Sequence, residues 1–174
     1  MDLEQVKKSV RNIPDYPKPG IHFKDVSTAY QDSEVFNFVA TSIYEKYKGL
    51  GITKVVGIES RGFILGGVLA SMLNAGFVPI RKAGKLPCKT FSKSYELEYG
   101  FDTLEIHQDA LDASDVVLIH DDLLATGGTV SASIDLVKIF GISKIYANFF
   151  IELDFLGGYK KIDLKVPVWS LLHF

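Results

Sequence analysis

Residues 116–129 (VVLIHDDLLATGGT) combine two adjacent carboxylates with a short loop of threonine and glycine. An apolar run ends at Asp121 and Asp122, and residues 126–129 then open a predicted helix. In an open α/β sheet, ligands bind beyond the carboxyl ends of the strands, and the first N–H groups of a helix attract anions. Because glycine also lets the backbone approach a ligand closely, this loop predicts a cup for a phosphate monoester.

Two carboxylates beside such a cup suit a ribose 5-phosphate, because each can accept a hydrogen bond from one hydroxyl of the 2′,3′ diol. Since side chains alternate along a strand, Asp121 and Asp122 can face one site only if the pleat ends at about Asp121. Taken singly, the paired acids are also typical of a solvated turn, and the glycines of an ordinary strand-to-helix turn. Their combination favours the sugar phosphate.

The remaining motifs exclude several other chemistries. No GxGxxG is present, and residues 57–62 have the spacing of a P-loop but are followed by Phe63 instead of lysine. The four histidines show no metal-ligand spacing. Cys88 is the only cysteine, so an intrachain disulfide cannot form, which favours a reducing compartment and most simply the cytoplasm.

The composition of the 174 residues, 47 % apolar and 23 % charged, is that of an ordinary soluble domain. A formal net charge of −2 provides no general attraction for nucleic acid. The N-terminus lacks the apolar core of a signal peptide, and the longest apolar stretch, residues 63–73, is too short to span a bilayer. We therefore expect a single α/β domain over residues 1–174 with neither a nucleic-acid nor a membrane partner.

Two βαβ units are predicted to position the candidate residues. Their elements in chain order are strand 54–58, helix 63–74 and strand 77–80, then strand 115–120, helix 129–140 and strand 144–153. Helices are also predicted at 3–13 and 35–47, where apolar residues recur at helical spacing. Between the units, residues 84–107 alternate apolar and polar on both sides of Gly100, which indicates a two-stranded arm that leaves the sheet.

Five motifs in this chain resemble, in the same order, those of the type I phosphoribosyltransferase family, and the likeness covers essentially the whole sequence. They are DYPKPGIHFKDV at 15–26, VGIESRGFILG at 56–66, RKAGKLP at 81–87, SYELEYG at 94–100, and the central segment, which is similar to the family's phosphoribosyl pyrophosphate motif. The resemblance implies an open, mostly parallel sheet flanked by helices. It also implies an N-terminal hood within residues 1–33 and a flexible, two-stranded catalytic arm at 84–107.

Within that family the chain is most similar to the members that use adenine. The resemblance then implies a purine-salvage enzyme that transfers ribose 5-phosphate from phosphoribosyl pyrophosphate to N9 of adenine, giving AMP and pyrophosphate. It implies that Mg²⁺ is held mainly by the substrate. It also implies that the protein is a homodimer. Displacement at the anomeric carbon develops oxocarbenium character, so the site must hold a polyanionic leaving group while it positions a flat nucleophile.

The resemblance also assigns roles to residues of this chain. The ribose 5-phosphate group comprises Asp121, Asp122, Ala125, Thr126, Gly127, Gly128 and Thr129. The pyrophosphate group comprises Ser60, Arg61, Gly62 and Lys82, of which Arg61 and Lys82 also neutralise the leaving group during catalysis. The adenine group comprises His22, Phe23, Lys24 and Leu123, with main-chain groups around residues 22–24 reading the purine edge.

Three further catalytic assignments are implied on and beside the arm. Glu98 is the acid/base for the protons of adenine, and Tyr99 helps to close the site. Arg81 reaches across a dimer interface to the pyrophosphate of the neighbouring subunit. The chain departs from the family at two positions, because Lys24 stands where arginine is usual and His120 where an aliphatic residue is usual.

Two other functions are compatible with these motifs. A regulatory module could bind the sugar phosphate without turning it over, but such regulators add a DNA-binding domain for which no residues remain. A related enzyme could act on guanine, hypoxanthine or xanthine. For single residues the ordinary alternatives are a surface ion pair for Arg61, Lys82 or Arg81, a core aromatic for Phe23 and an exposed hairpin acid for Glu98.

Overall fold

The computed structural model describes residues 1–96 and 100–174. Its strands are β1 (Arg11–Pro14), β2 (His22–Asp25), β3 (Lys54–Ile58), β4 (Gly76–Lys82), β5 (Thr90–Glu96), β6 (Phe101–His107), β7 (Val116–Leu124), β8 (Lys144–Glu152) and β9 (Val168–His173). Its α-helices are α1 (Leu3–Ser9), α2 (Ser27–Gln31), α3 (Ser33–Tyr47), α4 (Gly62–Met72) and α5 (Gly128–Lys138). Two short 3₁₀ turns follow β8, at Asp154–Leu156 and Gly158–Lys161.

Seven strands form one sheet in the order β5-β6-β4-β3-β7-β8-β9, and β1 and β2 form a small antiparallel sheet of their own. The central strands β4, β3, β7, β8 and β9 pair in parallel. The arm strands β5 and β6 are antiparallel to each other, and β6 is antiparallel to β4. The expected open, mostly parallel sheet with a two-stranded arm is therefore confirmed.

The two crossover helices pack on opposite faces of the sheet. Leu65 and Leu69 of α4 are buried in a core with α1, α2 and α3, whereas Val130 and Ile134 of α5 are buried in the core on the other face. Because parallel crossovers are right-handed, opposite faces mean that the chain leaves β3 and β7 in opposite directions along the sheet. The strand order thus reverses between β3 and β7, which is where ligands bind in open α/β sheets.

Three features differ from the sequence prediction by more than a shift of one or two residues at the end of an element. The helix expected at 3–13 ends at Ser9, and residues from Arg11 onward form β1 because they pair with β2, where Ile13 lies opposite Phe23. The arm does not leave the sheet, since β6 hydrogen-bonds with the end of β4. β7 does not end at about Asp121 but continues to Leu124, because β8 pairs with it that far.

The helices of the described residues include none that is long and apolar enough to cross a membrane.

Candidate active site

Two adjoining cavities lie at the carboxyl ends of β3 and β7. The larger, of about 300 Å³, is lined by Glu59, Ser60, Arg61, Lys82, Tyr95, Asp102, Leu104, Asp121, Asp122 and Thr129. The smaller, of about 70 Å³, is lined by Asp121, Leu123, Leu124, Ala125, Thr126, Gly127, Thr129, Val130 and Phe149. Asp121 and Thr129 line both cavities, so the two volumes adjoin at these side chains.

The paired carboxylates line the larger cavity together although β7 continues past them. The Asp121 side chain turns along the strand, and its Oδ1 accepts a hydrogen bond of 2.9 Å from the Asp122 N–H. The Asp122 side chain is 4 % exposed, and its Oδ2 lies 2.8 Å from Nε of Arg61. The local bend of one side chain, rather than the end of the strand, brings the two acids into one site.

Burial sets the protonation of this pair. Burial, and next the charge of Asp122, hold the pKa of Asp121 well above its usual value. Burial also raises the pKa of Asp122, and the Arg61 guanidinium opposes that rise. Burial removes water from these carboxylate oxygens. A ligand with hydroxyl donors would therefore supply the hydrogen bonds that water gives to an exposed carboxylate.

Gly62 allows α4 to begin directly against β7. A Cβ at this position would lie 2.8 Å from the carbonyl oxygen of His120 and 2.9 Å from Oδ1 of Asp121. Only a residue without a side chain fits there, because a backbone carbonyl cannot move aside. Ser60 and Arg61 line the cavity, whereas Gly62 is buried at the start of α4 and does not line it.

Lys82 ends β4 and reaches across to the arm. Its Nζ lies 3.0 Å from Oδ2 of Asp102, which faces Tyr95 in the register of the arm. This hydrogen bond raises the pKa of Lys82. The lysine that was expected to bind pyrophosphate thus lines the cavity, with a carboxylate of its own chain as its partner.

Arg81 lies beside this cavity and binds Glu59. Its Nη2 is 3.3 Å from Oε1 of Glu59, which also pairs with Nζ of Lys85 at 2.7 Å, while the Lys82 N–H donates to Oε2 at 3.0 Å. Although burial opposes it, these hydrogen bonds lower the pKa of Glu59 to about 2. Within the single chain, Arg81 therefore orders the loop after β3, and its predicted action on a neighbouring subunit stays a prediction.

The loop between β7 and α5 is shaped by backbone contacts. Gly127 has φ +81°, and a Cβ there would overlap the carbonyl oxygen of Gly158 in the 3₁₀ turn below. Ala125, Thr126, Gly127 and Thr129 line the smaller cavity at the start of α5. Gly128 faces the arm instead, where a Cβ would lie 3.3 Å from the Tyr95 ring. A cavity therefore lies where the sequence predicts the phosphate cup, and one of the two glycines contacts the arm instead.

Tyr95 and Asp102, both on the arm, are among the cavity residues that the sequence analysis does not predict. Thr129 Oγ1 donates to the Tyr95 hydroxyl at 3.2 Å, so the arm contacts the phosphate loop. Tyr95 and Asp102 are cross-strand partners near the arm tip, and antiparallel pairing about Gly100 is the signal that could have found them. Glu59 and Leu104 also line the larger cavity and were not predicted. The predicted Glu98 and Tyr99 lie outside the described residues.

The predicted adenine segment is β2, which presents two different faces. The Arg61 guanidinium lies over the Phe23 ring, 5.4 Å from its centroid, so Phe23 contacts a residue that lines the larger cavity. Lys24 points the other way and, with His22, lines a separate cavity of about 470 Å³ beside Phe174. Leu123 lines the smaller cavity. The adenine group is thus split between the two faces of β2 and the end of β7.

His120 does not take part in either cavity. It is fully buried, and its Nδ1 is 2.8 Å from Oδ1 of Asn148, its neighbour on β8. Burial lowers the pKa of His120 to about 4, so the ring is neutral near pH 7. The Asn148 amide nitrogen donates to the Trp169 carbonyl at 3.0 Å, which fixes its oxygen toward the histidine. This departure from the family pattern is accommodated within the sheet.

Comparison with known proteins identifies this arrangement. The phosphoribosyl transferase domain family matches residues 28–154. Adenine phosphoribosyltransferase from Bacteroides fragilis is 58 % identical over 174 residues, covering 99 % of this chain and 98 % of that protein. The chain belongs to the adenine phosphoribosyltransferases.

Solved adenine phosphoribosyltransferases share the whole fold. The enzyme from Rhodothermus marinus superposes with a TM-score of 0.94 at 50 % identity, covering 99 % of this chain and 98 % of that one. The enzyme from Giardia lamblia, complexed with 9-deazaadenine, gives a TM-score of 0.95 at 41 % identity, covering 100 % and 98 %. As an adenine phosphoribosyltransferase, the chain converts adenine to AMP in purine salvage.

Proposed function

We propose that the two cavities at the β3/β7 switch point bind phosphoribosyl pyrophosphate, and that Mg²⁺ assists the transfer of its ribose 5-phosphate to adenine. The observation that carries this proposal is the placement of Asp121, which lines both cavities. The smaller cavity suits the 5′-phosphate and the larger one the pyrophosphate. The sugar between them then lies against the two buried carboxylates.

The smaller cavity has the donors that a phosphate monoester needs. Residues 125–129 supply backbone N–H groups at the start of α5 and the hydroxyls of Thr126 and Thr129. Asp121 and Asp122 accept hydrogen bonds from the ribose diol, which replaces part of the hydration lost on burial. In this assignment the sugar is held through its two ends, and its anomeric carbon is left free to react.

The larger cavity supplies positive charge to the leaving group. Arg61, Lys82 and the loop at Ser60 line it, and their charge is most useful when the bond to pyrophosphate breaks. Within the chain, Arg61 pairs with Asp122 and Lys82 with Asp102. Pyrophosphate binding therefore exchanges two internal carboxylates for phosphate oxygens.

The donor set of the larger cavity fits Mg²⁺ held mainly by substrate. Mg²⁺ binds through one or two carboxylates, phosphates and water, and Asp121 and Asp122 are the carboxylates nearest the proposed sugar. When bound, the ion neutralises charge on the pyrophosphate oxygens. Arg61 and Lys82 orient the same group from the protein side.

Adenine is placed by the N-terminal segment. Phe23 contacts Arg61, which lines the larger cavity, and Leu123 comes from the end of β7. An aromatic ring on one side and an aliphatic side chain on the other suit a flat purine, while the backbone of residues 22–24 reads its edge. Glu98 and Tyr99 remain predictions for proton transfer and closure.

A homodimer and the action of Arg81 across its interface also remain predictions. Ile64 and Met72 of α4 are 46 % and 37 % exposed, and exposed apolar side chains of this kind support an interface between subunits. The cytoplasmic location also stays a prediction. Sedimentation equilibrium would test the dimer.

A base panel tests the function directly. Adenine, guanine, hypoxanthine and xanthine are each incubated with phosphoribosyl pyrophosphate, with and without Mg²⁺, and nucleotide formation is followed. AMP formed from adenine, and lost without Mg²⁺, is expected. Reaction with another base alone would contradict the specificity, and binding of phosphoribosyl pyrophosphate without any turnover would favour the regulatory module.

A further inference from the structure

The ring of Phe174 joins the small β1–β2 sheet to the edge of the main sheet. The Lys24 ammonium of β2 lies 4.4 Å from the ring centroid, and the Lys7 ammonium of α1 lies 4.6 Å from it. Lys7 also donates a hydrogen bond to the carbonyl oxygen of His173. Two cations from the N-terminal segment thus contact one aromatic side chain that follows β9.

The backbone of Phe174 is held on both sides. Its N–H donates to the Glu152 carbonyl at 3.0 Å, and its own carbonyl accepts from the Asp154 N–H at 3.0 Å. The ring is therefore fixed relative to β8, whose residues pair with β7. A contact with this ring sets the position of β2 relative to the strand that carries Asp121 and Asp122.

Phe23 and Lys24 are consecutive residues of β2 and point to opposite faces of the strand. The Lys24 face contacts Phe174, and the Phe23 face contacts Arg61. Because a strand moves as one unit, the contact behind β2 fixes the distance at which Phe23 lies from the cavity in front of it.

We propose that Phe174 is a positioning residue for the purine base, which it serves by holding Lys24 and Lys7 and thereby placing Phe23 of β2 over the site. The proposal rests on the proposed assignment of Phe23 to adenine. It also accounts for Lys24 in this chain, whose compact ammonium lies on the ring face. The effect is expected to fall mainly on the base, because the described residues that line the two sugar-phosphate cavities come from other elements and Phe23 reaches them only through Arg61.

The test compares Phe174→Leu, which keeps an apolar side chain but removes the π-face, with Phe174→Tyr, which keeps the ring. Steady-state KM is measured for adenine at saturating phosphoribosyl pyrophosphate, and then for phosphoribosyl pyrophosphate at saturating adenine. Loss of two cation–π contacts predicts that Phe174→Leu raises the KM for adenine by about 5-fold to about 30-fold. The KM for phosphoribosyl pyrophosphate and kcat stay within about 2-fold, and Phe174→Tyr restores the KM for adenine.

Lys24 variants give an independent readout. Lys24→Met keeps the aliphatic stem and is expected to raise the KM for adenine, whereas Lys24→Arg retains a cation and restores most of it. Combining Lys24→Met with Phe174→Leu should add little to Phe174→Leu alone, since the contact of Lys24 is already lost in that variant. Lys46→Met is the matched control, because it removes an ammonium 5.7 Å from the Trp169 ring on β9 without contact to β2.

Two results would overturn the proposal. One is an unchanged KM for adenine in Phe174→Leu. The other is an equal change in both KM values accompanied by a lower free energy of unfolding, which would show a general structural role. The variant Phe23→Ala, made in the otherwise unmodified chain, separates this failure from failure of the proposed function. It must raise the KM for adenine if Phe23 contacts the base. If Phe23→Ala raises the KM for adenine and Phe174→Leu does not, only the positioning role of Phe174 is refuted.

Discussion

Replacing Gly62 with alanine tests how closely α4 must approach β7. The added Cβ would lie 2.8 Å from the His120 carbonyl oxygen and 2.9 Å from Oδ1 of Asp121. Gly67 is the matched control in the same helix, since a Cβ there meets nothing within 4 Å. Alanine favours a helix over glycine by about 0.5–1 kcal/mol at either position, so the difference between the variants isolates the clash.

Overpacking against a backbone oxygen costs about 1–3 kcal/mol, and that is the expected difference in free energy of unfolding between Gly62→Ala and Gly67→Ala. Urea denaturation measures it, with Gly67→Ala expected to be as stable as the parent or more so. Displacement of the Asp121 carboxylate should also lower kcat/KM for phosphoribosyl pyrophosphate by about 10-fold to 100-fold in Gly62→Ala alone. Equal stability and equal kcat/KM in the two variants would refute the close approach.

The other predictions concern charged groups of the site. Asp121→Asn and Asp122→Asn should each lower kcat/KM for phosphoribosyl pyrophosphate about 10-fold to 100-fold in folded protein, and parental kinetics in both would remove the diol assignment. Glu59 has a folded pKa of about 2, below its ordinary value of 4.5, so its stabilisation is present above pH 4.5 and lost as the pH falls through 2. Glu59→Gln should therefore lower the free energy of unfolding by up to about 3 kcal/mol at pH 7, and a pH-independent difference in urea titrations would contradict this. Asp102→Asn frees Lys82 from its internal partner, so calorimetry should show tighter binding of pyrophosphate, and weaker binding would mean that Asp102 assists the ligand directly.

Much of the fold follows from local patterns in the sequence. The β-branched run of β3 was predicted at its observed bounds, and the acidic pair with its threonine–glycine loop marked the cavity edge. Residues 11–13 are misassigned because their apolar spacing continues that of α1, while pairing with β2 decides their structure. Periodicity contains no information on which strand will be a partner.

The unpredicted parts of the site depend on contacts between distant residues. Gly127 is needed because of Gly158, and Tyr95 reaches the site because Thr129 lies across from it. The proximity of Asp122 to Arg61 likewise requires β3 and β7 to be neighbours. Such contacts are set by topology, so a motif can name the loops without giving the pairs that form between them.

The pairing of β3 with β7 also determines when ligand can first bind during folding. Lys54 pairs with Val117, so the two strands close a long loop that contains α4, β4 and the whole arm. A chain in which only β3, α4 and β4 have folded contains the loop at Ser60 and Arg61. It lacks the loop between β7 and α5. A ligand that spans both loops therefore binds the completed sheet alone, and at a hundred times its Kd it stabilises that state by about 2.7 kcal/mol. A ligand of this kind would stabilise the completed sheet and neither half of it alone.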